Sequence, residues 1–161
     1  MSLREKVEAR TKSLPVNVEG LIEDVGVDLA RKAELDPDIS GQIEPIGHGK
    51  YRISVNRNDS YYRRRFTMAH ELAHFLLHRD LIGQGLDDTP AYRSTDKGRF
   101  FNRSVTPEHE TEANRLAAEL LMPSAKVREE FASADDLLEL AKKFQVSAEA
   151  MRYRLQSLGL V

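Results

Sequence analysis

Histidine recurs at every fourth position of FTMAHELAHFLLH, residues 66 to 78, where His70, His74 and His78 stand on an otherwise almost wholly apolar background. Four-residue spacing is helical spacing: residues that far apart share one face, with Cβ atoms about 5–6 Å from each other. Phe66, Ala69, Ala73, Leu76 and Leu77 fall on one side of such a helix, and Met68, Leu72 and Phe75 on the other. A helix that is apolar nearly all round belongs at the centre of a core. The rest of the chain must therefore fold around this segment, and its imidazoles must act away from bulk water.

The remainder of the sequence is suited to that. A length of 161 residues fits one domain of ordinary size. With 40% hydrophobic and 31% charged residues, the chain can bury a core and still dissolve. A formal charge of −2 argues against a surface that coats nucleic acid, and hence against direct DNA binding. There is no cysteine, which removes disulfides, thiolate metal sites and cysteine nucleophiles, and suits a reducing cytoplasm. The start, MSLREKVEARTK, lacks the apolar stretch of a secretion signal, and no segment approaches the roughly 20 apolar residues of a membrane helix. A cytoplasmic protein without a membrane partner is expected. Nothing in the composition sets an oligomeric state.

Periodicity and punctuation predict an α+β fold, mainly helical, with a small antiparallel sheet packed beside the histidine helix. Residues 3–12 read as a charged helix stopped by Pro15, and Asn17 caps a second helix that Gly26 ends. A strand is expected at 27–30. Residues 39–46 and 50–56 read as an antiparallel hairpin, with Tyr51, Ile53 and Val55 on one face and Arg52 and Ser54 on the other. Asn58, Asp59 or Ser60 caps the central helix, about 61–78. Residues 79–105 read as a long polar loop able to gate a cleft. Thr106-Pro107-Glu108 starts the next long helix. Ser124 is expected to cap a short helix through Phe131, and Ser133 with Asp136 another through Phe144. Ser147 opens the last helix. Residues 1–131 are expected to form the main domain, with 132–161 a helix-turn-helix-like segment packed on it.

His70-Glu71-Leu72-Ala73-His74 is H-E-x-x-H, which supplies two metal ligands and a base from one helical turn. Two imidazoles on one face can converge on an ion at about 2.0–2.1 Å each. Glu71 sits to the side of that face, where it can take a proton from water without ligating. Left as ordinary core residues, two imidazoles and a carboxylate would cost several kcal/mol without compensating partners. His78 cannot share the ion with His70, because eight helical residues span about 12 Å; it reads as an outer partner or a helix-end residue. The third ligand is expected from Glu110-Thr111-Glu112-Ala113-Asn114. There Glu110 and Asn114 share a face and Ala113 permits close helix approach, with Glu112 as the alternative ligand. Asn114 is placed to accept a hydrogen bond from the far nitrogen of a ligating histidine. Zinc suits these donors, as do manganese and iron. For oxyanion stabilisation the candidates are Tyr92, Arg93, His109 and Tyr153. The edge of strand 51–55 is a candidate for binding an extended peptide. Arg63, Arg64 and Arg65 crowd a helix N-terminus and call for acidic neighbours or an acidic partner.

RRFTMAHELAHFLLHRDLI followed by ETEANRLAAELLMP resembles the ImmA/IrrE metallopeptidase family, the domain once catalogued as DUF955. Ala73 stands where glycine is usual and Leu116 where phenylalanine is common; neither is a proposed ligand. The resemblance implies a gluzincin-like zinc peptidase with ligands His70, His74 and Glu110 and catalytic Glu71. It also implies a bacterial or mobile-element setting, in which some members cleave helix-turn-helix transcriptional repressors to switch on stress or excision genes. Two other functions compete. The segment LLELAKKFQVSAEAMRYRLQSLGL resembles a helix-turn-helix. If Met151, Arg152 and Arg154 entered a major groove, the protein would be a DNA- or protein-binding regulatory adaptor with a sensory or vestigial metal site. A broad-specificity protease toxin is the other alternative.

Overall fold

The computed structural model describes residues 1–88, 102 and 104–161. Helix α1 (Leu3–Arg10) starts at a capping box between Ser2 and Glu5, and Arg10 ties it to Asp24 at the end of α2 (Val18–Asp24), with Nε 2.6 Å from Oδ2. Asn17 caps α2 by accepting the Gly20 N–H. Gly26, at φ 82°, turns the chain into strand β1 (Asp28–Ala33). Strands β2 (Gly41–Gly47) and β3 (Lys50–Asn56) form the expected hairpin about Gly47, His48 and Gly49, all at positive φ.

The sheet is not purely antiparallel. Its order is β1-β3-β2-β4, and β1 runs parallel to β3. The reason lies in residues 34–40, which carry the chain over the end of β3 before β2 begins. Asn56 fastens that crossing: its Nδ2 donates to the carbonyls of Ile39 at 2.8 Å, Asp36 at 3.1 Å and Leu35 at 3.4 Å. Because β3 lies between β1 and β2, it has no free edge, so the expected peptide-binding edge at 51–55 is already occupied on both sides. Ile53 and Val55 are buried as the alternation predicts, but Ser54 is buried too, opposite Gln42.

Helix α3 (Tyr61–His78) starts at Ser60, whose hydroxyl accepts the Arg63 N–H. An unbroken run from Thr67 to Phe75 is buried, as a helix apolar on all sides requires. The sheet closes on one side of it: Tyr51 meets Phe75 edge-on at 5.6 Å, and Gly41 lies so close that a Cβ there would stand 2.3 Å from the Thr67 methyl. Beyond α3 the chain makes a short 3-10 turn (Arg79–Leu81) and strand β4 (Leu86–Asp88), which pairs with β2 inside what reads as plain loop.

Thr106 caps α4 (Pro107–Leu121), with His109 completing a capping box in place of the usual acid. This helix packs along α3. Ala113 and Ala117 are fully buried, as are Ala69 and Ala73 of α3, and small side chains let helix axes approach. In α5 (Ser124–Phe131) the cap position belongs to Pro123; Ser124 is the first helical residue and is held by Glu119. Asp136 alone caps α6 (Leu137–Phe144), without Ser133. Ser147 caps α7 (Ala148–Ser157). Leu140 and Phe144 of α6 and Met151 and Leu155 of α7 join the same core as α3 and the sheet. Of the three residues that would have read a DNA groove, Met151 and Arg154 are buried; Arg154 donates to the Met122 carbonyl and pairs with Glu119. Arg152 alone faces solvent.

The arginine cluster also has an unexpected use. Arg65 is buried, and its guanidinium donates to the carbonyls of Gln145 at 3.0 Å, Val16 at 3.1 Å and Phe144 at 3.3 Å. It thus ties α3 to the approach to α2 and to the end of α6. Arg63 donates to Ser40. Replacing Arg65 with Met should strand three carbonyls and lower unfolding free energy by about 3 kcal/mol in urea titrations. Lys should not restore it, since an ammonium cannot reproduce the planar fork. At Gly41, substitution by Ala must push β2 and α3 apart, and a loss of about 1–3 kcal/mol is expected in the same assay.

Candidate metal centre

One turn of α3 presents His70 and His74 on the same face, with Nε2 atoms 3.1 Å apart and ring planes nearly perpendicular at 88°. Helix α4 brings Glu110 across to them. Its Oε1 lies 2.7 Å from His74 Nε2, and its Oε2 3.3 Å from His70 Nε2. Despite the 2.7 Å approach, Oε1 has no aligned N–H···O bond. The four donor atoms of these three side chains therefore converge, with neighbouring atoms 2.7–3.3 Å apart. Tetrahedral ligands at about 2.0–2.1 Å from zinc sit about 3.3 Å apart, close to the separations found. Two imidazole nitrogens and one carboxylate, with room left for water, are the donor set of catalytic zinc sites. The residues present fit a divalent ion.

The two carboxylates at this point are held in opposite conditions. Glu71 is completely buried, and neither of its oxygens has a hydrogen-bond partner. Burial, reinforced by the nearby Asp88 and Glu110 carboxylates, pushes its pKa well above the usual range. Glu110 is also penalised by burial, but the hydrogen-bonding and charge of His70 and His74 outweigh that penalty and hold it down at about 2. The imidazoles diverge in the same way. Burial disfavours the charged form of both. At His70 the Asp88 and Glu110 carboxylates prevail and the pKa rises; at His74, burial prevails and it falls.

Glu112, the alternative ligand, points elsewhere: its Oε1 lies 3.0 Å from His78 Nε2. Asn114 faces His70 and helps to raise its pKa, but Asn114 Oδ1 and His70 Nδ1 both remain buried without an aligned hydrogen bond. His109 accepts the Thr106 backbone N–H on its Nδ1 at 2.9 Å and so completes the helix cap. Tyr153 is exposed and lines a cleft that also reaches Asn114. Tyr92 and Arg93 lie outside the described residues.

Asp88 is the site residue that sequence reasoning missed. It is buried at the end of β4 with Oδ1 3.9 Å from His70 Nε2, and with His70 and Glu110 it forms a further group spaced to hold a cation. Burial raises its pKa too. Two acids, Asp87-Asp88, within a polar stretch gave no periodic signal, and a three-residue strand is too short to produce one.

Beside this cluster, α3, α4 and α7 enclose a cleft of about 680 Å³. Phe66, Asn114, Leu121, Met122, Ala150 and Tyr153 are among its walls. Phe66 stacks towards His70 with centroids 6.3 Å apart, so the cleft and the histidines share a boundary. Among the described residues no helix is long and apolar enough to cross a membrane.

Comparison with known proteins agrees with this architecture. Among solved structures, a Mycobacterium tuberculosis transcriptional regulator superposes with a TM-score of 0.61 at 21% identity. The match covers 96% of this chain but 45% of that one, so this chain spans less than half the length of the protein it matches. No curated protein sequence matches. The model of the IrrE N-terminal-like domain matches residues 22–156, from α2 almost to the end of α7, and the chain therefore belongs to the Peptidase_M78 family.

Proposed function

We propose that the chain is a metal-dependent endopeptidase that holds a divalent ion, zinc by donor type, on His70, His74 and Glu110, with Glu71 as the proton-transfer group. The observation that carries this is the convergence of His70, His74 and Glu110 within 2.7–3.3 Å of one another, with Glu71 fully buried on the same helical turn and without a hydrogen-bond partner. The two carboxylates there also diverge: His70 and His74 hold the Glu110 pKa down at about 2 against its burial, while burial raises that of Glu71. Titratable groups pushed apart by their surroundings mark acid–base assignments. Membership of a peptidase family supports the same chemistry.

When bound, the ion supplies Lewis acidity that polarises a carbonyl and brings water's pKa towards neutrality. The chain's own residues do the rest. Glu71, one position along the helix from His70, takes the proton from the attacking water and returns it to the departing amine. Its burial keeps it basic enough for the first task and able to hold the proton for the second. Glu110 stays ionised and fixes both imidazole edges. The cleft beside Phe66 and Asn114 receives the polypeptide, with apolar walls for side chains and Tyr153 at its margin. In this reading, residues 132–161 are a wall of the cleft built on domain 1–131, since α7 turns Met151 and Arg154 inward.

As substrate we propose a helix-turn-helix transcriptional repressor, cut at a specific site in a stress or excision switch. The resemblance to the ImmA/IrrE family supports this, and the likeness to a transcriptional regulator gives it a regulatory setting. That likeness equally favours a second function, a regulatory adaptor whose metal site is sensory.

Wild type and Glu71→Gln should each carry about one ion by elemental analysis. On incubation with the repressor encoded beside the protein, wild type should cut at one position, and the variant should be slower by about 10²–10⁴. A variant as fast as wild type rules out Glu71 as the base; no cutting by either favours the adaptor. Equal cutting of unrelated unfolded proteins points to a broad-specificity toxin. Chelation should lower the melting temperature, with zinc restoring it: at 100 times Kd, ligand binding contributes about 2.7 kcal/mol.

A further inference from the structure

His78 is the buried histidine that the ligand set leaves unused. It closes α3 at 7% exposure, one further turn along the face that carries His70 and His74. Its Nδ1 lies 3.0 Å from Nδ1 of His74, and its Nε2 lies 3.0 Å from Oε1 of Glu112 on α4. The Glu112 carboxylate is 55% exposed, so this line of contacts runs from the centre of the core to the surface.

A neutral imidazole carries one proton on two nitrogens, and the tautomers along this line are not independent. When His74 offers its Nε2 lone pair to a cation, its proton sits on Nδ1. The acceptor 3.0 Å away is Nδ1 of His78, which must then be bare. The His78 proton is thereby placed on Nε2, facing a carboxylate that, when ionised, can only accept. Each hydrogen in the series has one donor and one acceptor. The opposite polarity would require the Glu112 carboxylate to donate.

Resting on the metal assignment above, we propose that His78 and Glu112 are positioning residues. They form a hydrogen-bonded series that fixes the His74 ring and tautomer so that its Nε2 lone pair faces the ion. Outer partners of metal-bound histidines fix ring orientation and raise ligand basicity. Here a second imidazole stands between ligand and carboxylate, and it carries the effect of a surface acid to a wholly buried ligand.

His78, His109 and Glu112 are also spaced closely enough to hold a second cation. The tautomers oppose that use. His109 Nδ1 accepts the Thr106 backbone N–H at 2.9 Å, so its proton is on Nε2, and His78 Nε2 is committed to Glu112 as a donor. Neither imidazole has a lone pair to offer. The rings pack instead, with centroids 4.8 Å apart, and His109 walls the series on one side.

The test is zinc affinity, measured by competition with a chromophoric chelator, for wild type, Glu112→Gln, His78→Gln and the double variant. Glu112→Gln alters an exposed side chain and leaves the core intact, so it keeps the test valid if His78→Gln folds poorly. Each single change should weaken zinc binding about 10- to 100-fold. The double variant should lose little more than the larger single loss, because the two residues act in series. Long-range proton–nitrogen correlation spectra of the zinc-loaded protein should show His78 protonated on Nε2 and bare on Nδ1. Unchanged affinity in Glu112→Gln, protonation of His78 on Nδ1, or a second zinc equivalent lost in that variant each overturns the proposal while leaving the metallopeptidase standing. A wild type that binds no divalent ion overturns both.

Discussion

The structure depends on one constraint: the central helix is buried on every side from Thr67 to Phe75, yet carries two imidazoles and a carboxylate through the middle of the core. Apolar packing alone would place Leu72 and Phe75 as well in many other helices. It is the cost of burying His70, Glu71 and His74 that dictates what must surround them. Glu110 has to cross from α4, which packs along α3, and the alanines at 69, 73, 113 and 117 on the two helices are all buried. The sheet has to close the other side, and Gly41 is there because a side chain would collide with Thr67. Packing and polar chemistry are not separate layers here; the small residues that allow the helices to touch are what let the donor atoms converge.

The same burial distributes roles among chemically similar groups. Glu71 is fully buried near other carboxylates and without a hydrogen-bond partner, which raises its pKa, while His70 and His74 bring that of the less buried Glu110 down to about 2. His70 and His74 are likewise separated by what lies beyond them. His70 feels Asp88 and Asn114, while His74 leans on His78. Histidine at three successive turns therefore gives three environments: two facing Glu110, and one between His74 and Glu112. Helix α7 and the end of α6 complete the arrangement from outside, since Arg65 bonds carbonyls at 144 and 145 and the cleft beside the histidines is partly walled by α7.

Local signals carried much of the fold into the sequence. Caps at Asn17, Ser60, Thr106 and Ser147 are short-range hydrogen bonds between a side chain and the backbone three residues on, so they can be read without knowing the rest. The hairpin about Gly47, His48 and Gly49 is equally local. Where reading failed, the deciding partner was distant or the segment too short. Ser124 looks like a cap until Glu119 claims it. Arg65 looks like a solvated charge in a run of three until carbonyls from two remote segments surround it. Strand β4 is three residues long, and its pairing with β2 comes from the sheet edge it meets, not from its own pattern.

For the site, the sequence by itself determined the chemistry on offer: helical spacing puts His70, Glu71 and His74 on one turn whatever the rest of the chain does. It also pointed to the E-x-E of the next long helix for the proposed third donor. Only the tertiary structure shows that Glu110 lies against His70 and His74 while Glu112 meets His78, because residues two apart on a helix point in widely different directions and the crossing of α3 and α4 selects which contact each makes. It likewise brought in Asp88 and joined His78 to Glu112. Those contacts span 18 and 34 residues of chain, and no periodicity encodes the angle at which separately folded elements come to rest.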